Sequence, residues 1–359
     1  MSVKFTRRAA LSSLGFWAAG SPLLNAQGGE PAGRIAPRAQ LLNALEFEAM
    51  AERKLGSAAY SAIAGGDRRA FERMIFRPRM MVVTENMDLS LDLFGDKMFA
   101  PILVGPASDQ QRFHPEAEVA TVNGAAAAKA AVIVSDRSSQ PLEKIAANSK
   151  TVLWYQIYPQ PDMAPVLNRV QQAVKAGCKA VCLTVGTPYT PFSVDVAPTP
   201  SKLAVMANPQ MNWATVDQIR RTAKVPVLLK GIMSAEEARA GLEKGVEGII
   251  VSNHGGMFVH GMASPMEVLA SVVDAVGGKI PVLVDGGFRR GSDVVKALAL
   301  GAKAVLVTRP PLWGLAAYGA EGVQGVVELL QTETARSMAG CGMPNLAAIN
   351  RNLVRIVKR

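Results

Sequence analysis

The chain has 359 residues, 49% hydrophobic and 19% charged, with a net charge of +10 from 39 basic and 29 acidic side chains. That balance excludes a disordered chain, a coiled coil and a collagen-like repeat, and it supplies the apolar side chains for one large α/β domain. Three cysteines, Cys178, Cys182 and Cys341, are too few and too odd in number for a disulfide framework and lack metal-site spacing, so they read as buried small residues.

Residues 1–26 form the first unit. Lys4, Arg7 and Arg8 precede an apolar run from Ala9 to Leu24, which closes in Leu24-Asn25-Ala26, an A-x-A-like end. Gly15, Gly20, Ser21 and Pro22 break the run, and it is too short to span a bilayer as a mature helix. Arg7-Arg8 ahead of it resembles a twin-arginine export signal and sets the expectation of a periplasmic protein exported with its cofactor already in place; an ordinary signal peptide is the other reading. Residues 27–99 are expected to form a helical segment and lead-in, and 100–359 a barrel with C-terminal helices. Within the lead-in, Arg68, Arg69, Arg73, Arg77 and Arg79 alternate with Asp67, Glu72 and apolar residues. Without aromatic interleaving or a nucleic-acid module they read as a solvated basic surface, and no nucleic-acid partner is expected.

From residue 100 on, eight short apolar runs recur with amphipathic stretches between them: 101–106, 132–136, 152–158, 180–188, 225–231, 248–255, 280–287 and 304–310. Each is continuous in Val, Ile and Leu rather than alternating, as strands buried on both faces are. Between them, Ala235–Lys244, with Ser234 as its N-cap, and Ser292–Leu300 carry helical periodicity. Eight β-α units predict a TIM (β/α)8 barrel of the α/β class, preceded by the N-terminal helical segment. A doubly wound sheet would need a glycine-rich phosphate turn after the first strand, and Gly105-Pro106-Ala107-Ser108 is not one.

In a barrel the ligand-binding groups come from the C-terminal strand ends. Those ends hold Ser135, Gln156, Tyr158, Thr184, Lys230, Ser252, His254, Asp285, Arg289 and Arg309. The last two loops, Asp285-Gly286-Gly287-Phe288-Arg289-Arg290-Gly291 and Thr308-Arg309-Pro310, suit a phosphate, since glycines admit the backbone closely and arginines complement a dianion. His254, one of three histidines, lies directly after the sixth strand in Ser252-Asn253-His254-Gly255-Gly256 and reads as a general base. Lys230 closes the strand Val225–Leu229, where its ammonium would stabilise an anion formed during reaction.

Lys230-Gly231, 246–256, 284–300 and Thr308–Pro310, together with Phe76-Arg77-Pro78-Arg79, 101–106 and His114-Pro115-Glu116, resemble the FMN-dependent 2-hydroxy-acid oxidase and dehydrogenase family over nearly everything after residue 40. The resemblance implies FMN at the barrel mouth. Arg289, Arg309, Gly287 and the backbone near Thr308 would hold its phosphate, and Asp285 would meet the ribityl chain. Ser108, Ser135, Gln156, Thr184 and Lys230 would line the isoalloxazine, with Ser252 among the strand-end groups that bind the cofactor. His254 would take the substrate proton as two electrons pass to the flavin, with Lys230 and Tyr158 as the other catalytic groups. The resemblance further implies a small-molecule substrate, an electron acceptor that it does not identify and a homotetramer; the short, broken apolar run of residues 9–24 separately sets the expectation of no membrane span in the mature chain.

Several positions depart from the family pattern. The arginine that follows Ser-Asn-His-Gly-x is Met257, the second carboxylate-binding arginine has no counterpart in 188–193, and the aspartate that orients the histidine is Gly186. An active-site tyrosine aligns with Ala62, and an aromatic residue after the second strand is Arg137. Losing two arginine partners corresponds to roughly 3–6 kcal/mol of substrate binding. Three readings follow: an oxidoreductase for a 2-hydroxy acid or related alcohol, with Arg137 taking the carboxylate beside Tyr158 and Met257; an FMN oxidoreductase for a substrate without a carboxylate, with His260 sharing acid–base work; and a flavin-binding protein without turnover.

Overall fold

The computed structural model describes residues 35–186, 212–256 and 261–357. The expected export segment 1–26 and the positions Met257, His260 and 188–193 lie outside them. Eight parallel strands close on themselves: β4 (Ile102–Val104), β5 (Val132–Ser135), β6 (Leu153–Ile157), β7 (Val181–Thr184), β8 (Val227–Ile232), β9 (Gly248–Val251), β10 (Val282–Asp285) and β11 (Ala304–Val307). They stand around the ring in chain order, β11 pairing β4 to complete it. This is a (β/α)8 barrel, and each of the eight apolar runs supplies one strand.

Hydropathy does not alternate along these strands, yet their packing does. Leu103, Ile133, Trp154, Cys182, Leu228, Ile250, Leu283 and Leu306 gather in one cluster inside the barrel. Their strand neighbours, among them Val104, Val132, Tyr155, Leu183, Leu229, Ile249, Val284 and Val305, join the larger core under the helices. Successive side chains on a strand face opposite ways, so two apolar environments demand a continuous apolar run.

Four further strands precede or follow the barrel in two pairs. β2 (Leu91–Leu93) and β3 (Asp96–Met98) form a hairpin whose Leu91, Leu93 and Met98 extend the inner cluster. β1 (Met74–Phe76) pairs antiparallel with β12 (Val354–Ile356), tying the lead-in to the C-terminus. In the lead-in, helices run over Ala44–Lys54, Ser57–Ser61 and Arg69–Glu72. Ala235–Glu243 is helical with Ser234 Oγ accepting from Glu237 N, and Gly291–Ala299 is helical as well. The last helix, Arg309–Gly340, breaks at Tyr318 and Gly319, where Gly319 adopts φ 60°. All three cysteines are buried and unpaired with one another. Among the described residues no helix is long and apolar enough to cross a membrane.

Candidate active site

Moving two residues along each strand from the inner apolar layer reaches the next inward tier. From Ile133 it is Ser135, from Trp154 Gln156, from Cys182 Thr184, from Leu228 Lys230, from Ile250 Ser252 and from Leu283 Asp285. All six are buried. The strand period of two therefore assembles a polar floor directly above an apolar plug, at the C-terminal end where this architecture places its chemistry. Two residues further, as the chain leaves the strands, stand Arg137, Tyr158, Gly186, His254 and Gly287.

The floor is knitted together by short contacts. Gln156 Nε2 donates to Thr184 Oγ1 at 2.6 Å. Lys230 Nζ donates to Ser252 Oγ at 3.0 Å and pairs with Asp285 Oδ2 at 2.7 Å. Ser252 Oγ also accepts from the His254 backbone N–H. This buried ion pair spans β8 and β10 and holds the Lys230 ammonium in a fixed position, where burial strengthens its electrostatic effect.

His254 stands over this group in a left-handed backbone conformation (φ 53°), followed by Gly255 at φ 72°. Its Nε2 lies 2.8 Å from the carbonyl oxygen of Val185. A carbonyl only accepts, so Nε2 carries the proton and the lone pair of the neutral ring is on Nδ1. Burial, reinforced by the Lys230 ammonium and opposed by Asp285, pushes the imidazole down to about 4. The histidine is thus a neutral base at physiological pH. Gly231, at φ 120°, makes room for it: a Cβ there would lie 2.2 Å from Val185 O and 2.7 Å from His254 Nε2.

At the other side of the mouth, the Arg137 guanidinium lies 3.8 Å from the Tyr158 ring centroid, a close cation–π stack. Beneath them Asp136 accepts from the Tyr158 backbone N–H, and burial pushes its carboxyl above the usual carboxylate range. Ser108 stands on the exposed loop after β4, outside the buried floor.

The last two loops converge on the lead-in. Arg289 is buried, stacks on Trp313 at 4.5 Å and donates to the Gly65 carbonyl, to which Arg309 Nη1 donates as well at 3.3 Å. Two guanidinium groups thus meet at one neutral oxygen, and burial with the Arg309 charge lowers Arg289 to about 10. Gly287, at φ 79°, packs so tightly that a Cβ would lie 2.3 Å from Asp67 O. Thr308 Oγ1 would likewise lie 2.3 Å from a Cβ on Gly105.

FMN fits these residues on two counts. Asp285 Oδ1 is buried with no hydrogen-bond partner among the described residues, an acceptor awaiting a hydroxyl donor such as a ribityl chain carries. Among the described residues neither crowded guanidinium has a carboxylate within 4 Å, Glu48 acting on both only from further off, and a phosphate dianion would supply a direct partner.

Four participants carry no clear signal in the sequence. Backbone carbonyls such as Val185 O and Gly65 O carry no side-chain signal. Asp136 was visible as a carboxylate at a strand end. Arg68, read as part of a solvated surface, instead donates to Gly287 O at 2.8 Å and pairs with Asp293 at 2.8 Å, because the lead-in folds back over the phosphate-type loops.

The comparisons with known proteins agree with this geometry. The FMN-dependent dehydrogenase family matches residues 55–194 and 193–356. A peroxisomal (S)-2-hydroxyacid oxidase of Arabidopsis thaliana is 38% identical over 351 residues, covering 88% of this chain and 97% of that one. The glycolate oxidase of Spinacia oleracea is 33% identical, covering 87% and 95%. The crystal structure of a mandelate oxidase with benzoyl-formic acid superposes with a TM-score of 0.81 at 34% identity, over 89% of this chain and all of that one. The protein belongs to the FMN-dependent dehydrogenase family.

Proposed function

We propose that this protein is an FMN-dependent oxidoreductase that oxidises the CH–OH group of a 2-hydroxy acid or a related alcohol. The observation that carries the reading is the buried cluster of Lys230, Ser252 and Asp285 at the ends of three adjacent strands, with the half-buried His254 over it. Bound FMN supplies a two-electron acceptor. The chain supplies the rest: His254 takes a proton from the substrate in its neutral form, and the Lys230 ammonium stabilises negative charge developing on the cofactor. Arg289, Arg309, Gly287 and the backbone near Thr308 would hold the phosphate, and Asp285 would take a ribityl hydroxyl. Ser108, Ser135, Gln156, Thr184 and Lys230 would line the flavin ring, with Ser252 beside Lys230.

Arg137 is the carboxylate partner of the substrate, working from Tyr158, against which it is stacked. A charge-assisted hydrogen bond contributes about 1.5–3 kcal/mol, so Arg137→Ala should raise KM for a 2-hydroxy acid by roughly 10–150-fold with a smaller change in kcat. An unchanged KM removes Arg137 from that role. The whole reading is tested by recording the flavin spectrum anaerobically while lactate, glycolate or mandelate is added. Bleaching of the oxidised band is expected. A band that stays oxidised with all three favours the second reading, a substrate without a carboxylate, for which Met257 at the position given to arginine speaks.

Residues 1–26 are proposed as a cleaved twin-arginine export signal that directs the protein to the periplasm. N-terminal sequencing of protein recovered from the host envelope should begin near residue 27, and recovery of intact Met1 overturns the proposal.

A further inference from the structure

The opposite, N-terminal end of the barrel carries a different kind of site. Helices there give way to strands through short loops, and these hold Lys129 before β5, Lys150 before β6 and Lys179 before β7. With Lys97 of β3 they line one cleft of about 720 Å³, a volume usual for small-molecule sites. No aspartate or glutamate lines it. Among the described residues none of the four ammonium groups makes a hydrogen bond or an ion pair within 4 Å; Lys97 faces Asp92 across its hairpin, so the burden rests on the other three.

The bland account is that lysines after helix C-termini offset the helix dipoles. One feature exceeds it. Lys129, left-handed at φ 55° as Lys224 is at φ 52° before β8, places its ammonium 5.2 Å from the centroid of the Phe99 ring, which is 50% exposed at the cleft. An exposed aromatic ring beside several cationic groups in a concavity suits a multiply charged ligand with a flat face.

We propose that this cleft binds a small oligophosphate, free or as part of a nucleotide, at the end of the barrel remote from the candidate active site. The test titrates the FMN-loaded full chain calorimetrically with tripolyphosphate and, separately, with ATP, at 0.15 M salt, where charges beyond about 8 Å are screened. One saturable site per chain is expected. Lys150→Glu/Lys179→Glu should weaken it at least tenfold, whereas Lys279→Glu/Lys303→Glu, lysines of the same kind of loop outside the cleft, should change it less than twofold. Lys129→Gly should also weaken binding, with a thermal midpoint equal to or above that of the parent, which separates loss of the ligand from loss of the fold. Phe99→Ala that weakens ATP alone identifies a nucleotide, and one that weakens neither identifies the oligophosphate itself. Absence of saturable binding, or equal weakening by both lysine pairs, overturns the proposal.

Discussion

His254 sits in a left-handed backbone conformation that a non-glycine residue adopts at a cost of about 1 kcal/mol. The strain is retained where the chain must turn sharply after β9 and still hold an imidazole over the ion pair of Lys230 and Asp285. Replacing His254 by Asn should slow reduction of the flavin by substrate about 10²–10⁴-fold while FMN stays bound, read by stopped-flow absorbance. With the imidazole pushed down to about 4, kcat/KM should stay level from neutral pH to about 5 and fall towards 4. An acid limb at the ordinary histidine value near 6.5 would show that His254 is not the base in this buried environment. Stability follows the same proton: between about 4 and 6.5 the unfolded chain binds it and the native chain does not, so stability contributed by this residue falls as pH drops through that window and is constant above it.

At the scale of the element, the barrel strands sort side chains by parity. A lysine at an outward position of β8 would face the packed helices; at position 230 it faces the mouth. The bulge between Lys230 and Ile232 and the glycine between them let β8 bend past Val185 and leave space for the imidazole. Gly231→Ala therefore meets both a forbidding φ and two atoms closer than contact distance. It should destabilise the fold by about 2–4 kcal/mol in denaturant unfolding and disturb His254 as well. A variant of parental stability would mean that the Val185 carbonyl and the ring can move aside together.

For the whole molecule, contacts of long sequence separation complete the site. Arg68 reaches Asp293 and Gly287, Lys296 Nζ donates to Phe71 O, and Trp313 Nε1 donates to Ile63 O. The lead-in is thus strapped across the two loops that carry Arg289 and Arg309. Arg68→Ala should weaken FMN retention about tenfold, followed by fluorescence of released flavin, with the far-ultraviolet circular dichroism unchanged, since the barrel strands do not depend on it. Equal retention in the variant would reduce the strap to packing alone. The same scale changes how the charge is read: lysines scattered along the sequence are collected by the repeating α-to-β loops onto one end of the barrel.

Much of this was legible in one dimension because it is local. Continuous Val, Ile and Leu runs of strand length, turn residues after them and polar groups at their ends are enough to deduce eight buried parallel strands and the end that carries chemistry. Lys230, Asp285 and His254 were readable as a set for that reason. What meets across the barrel was not. The carbonyl that orients His254, the Gly65 oxygen shared by two arginines, the pairing of Arg68 with Asp293 and the stack of Arg137 on Tyr158 all join residues distant in sequence or use backbone atoms that every residue has. Local pattern determines which face of a strand a side chain takes, whereas tertiary closure decides which of those faces meet, and with it the charge environment in which each group must work.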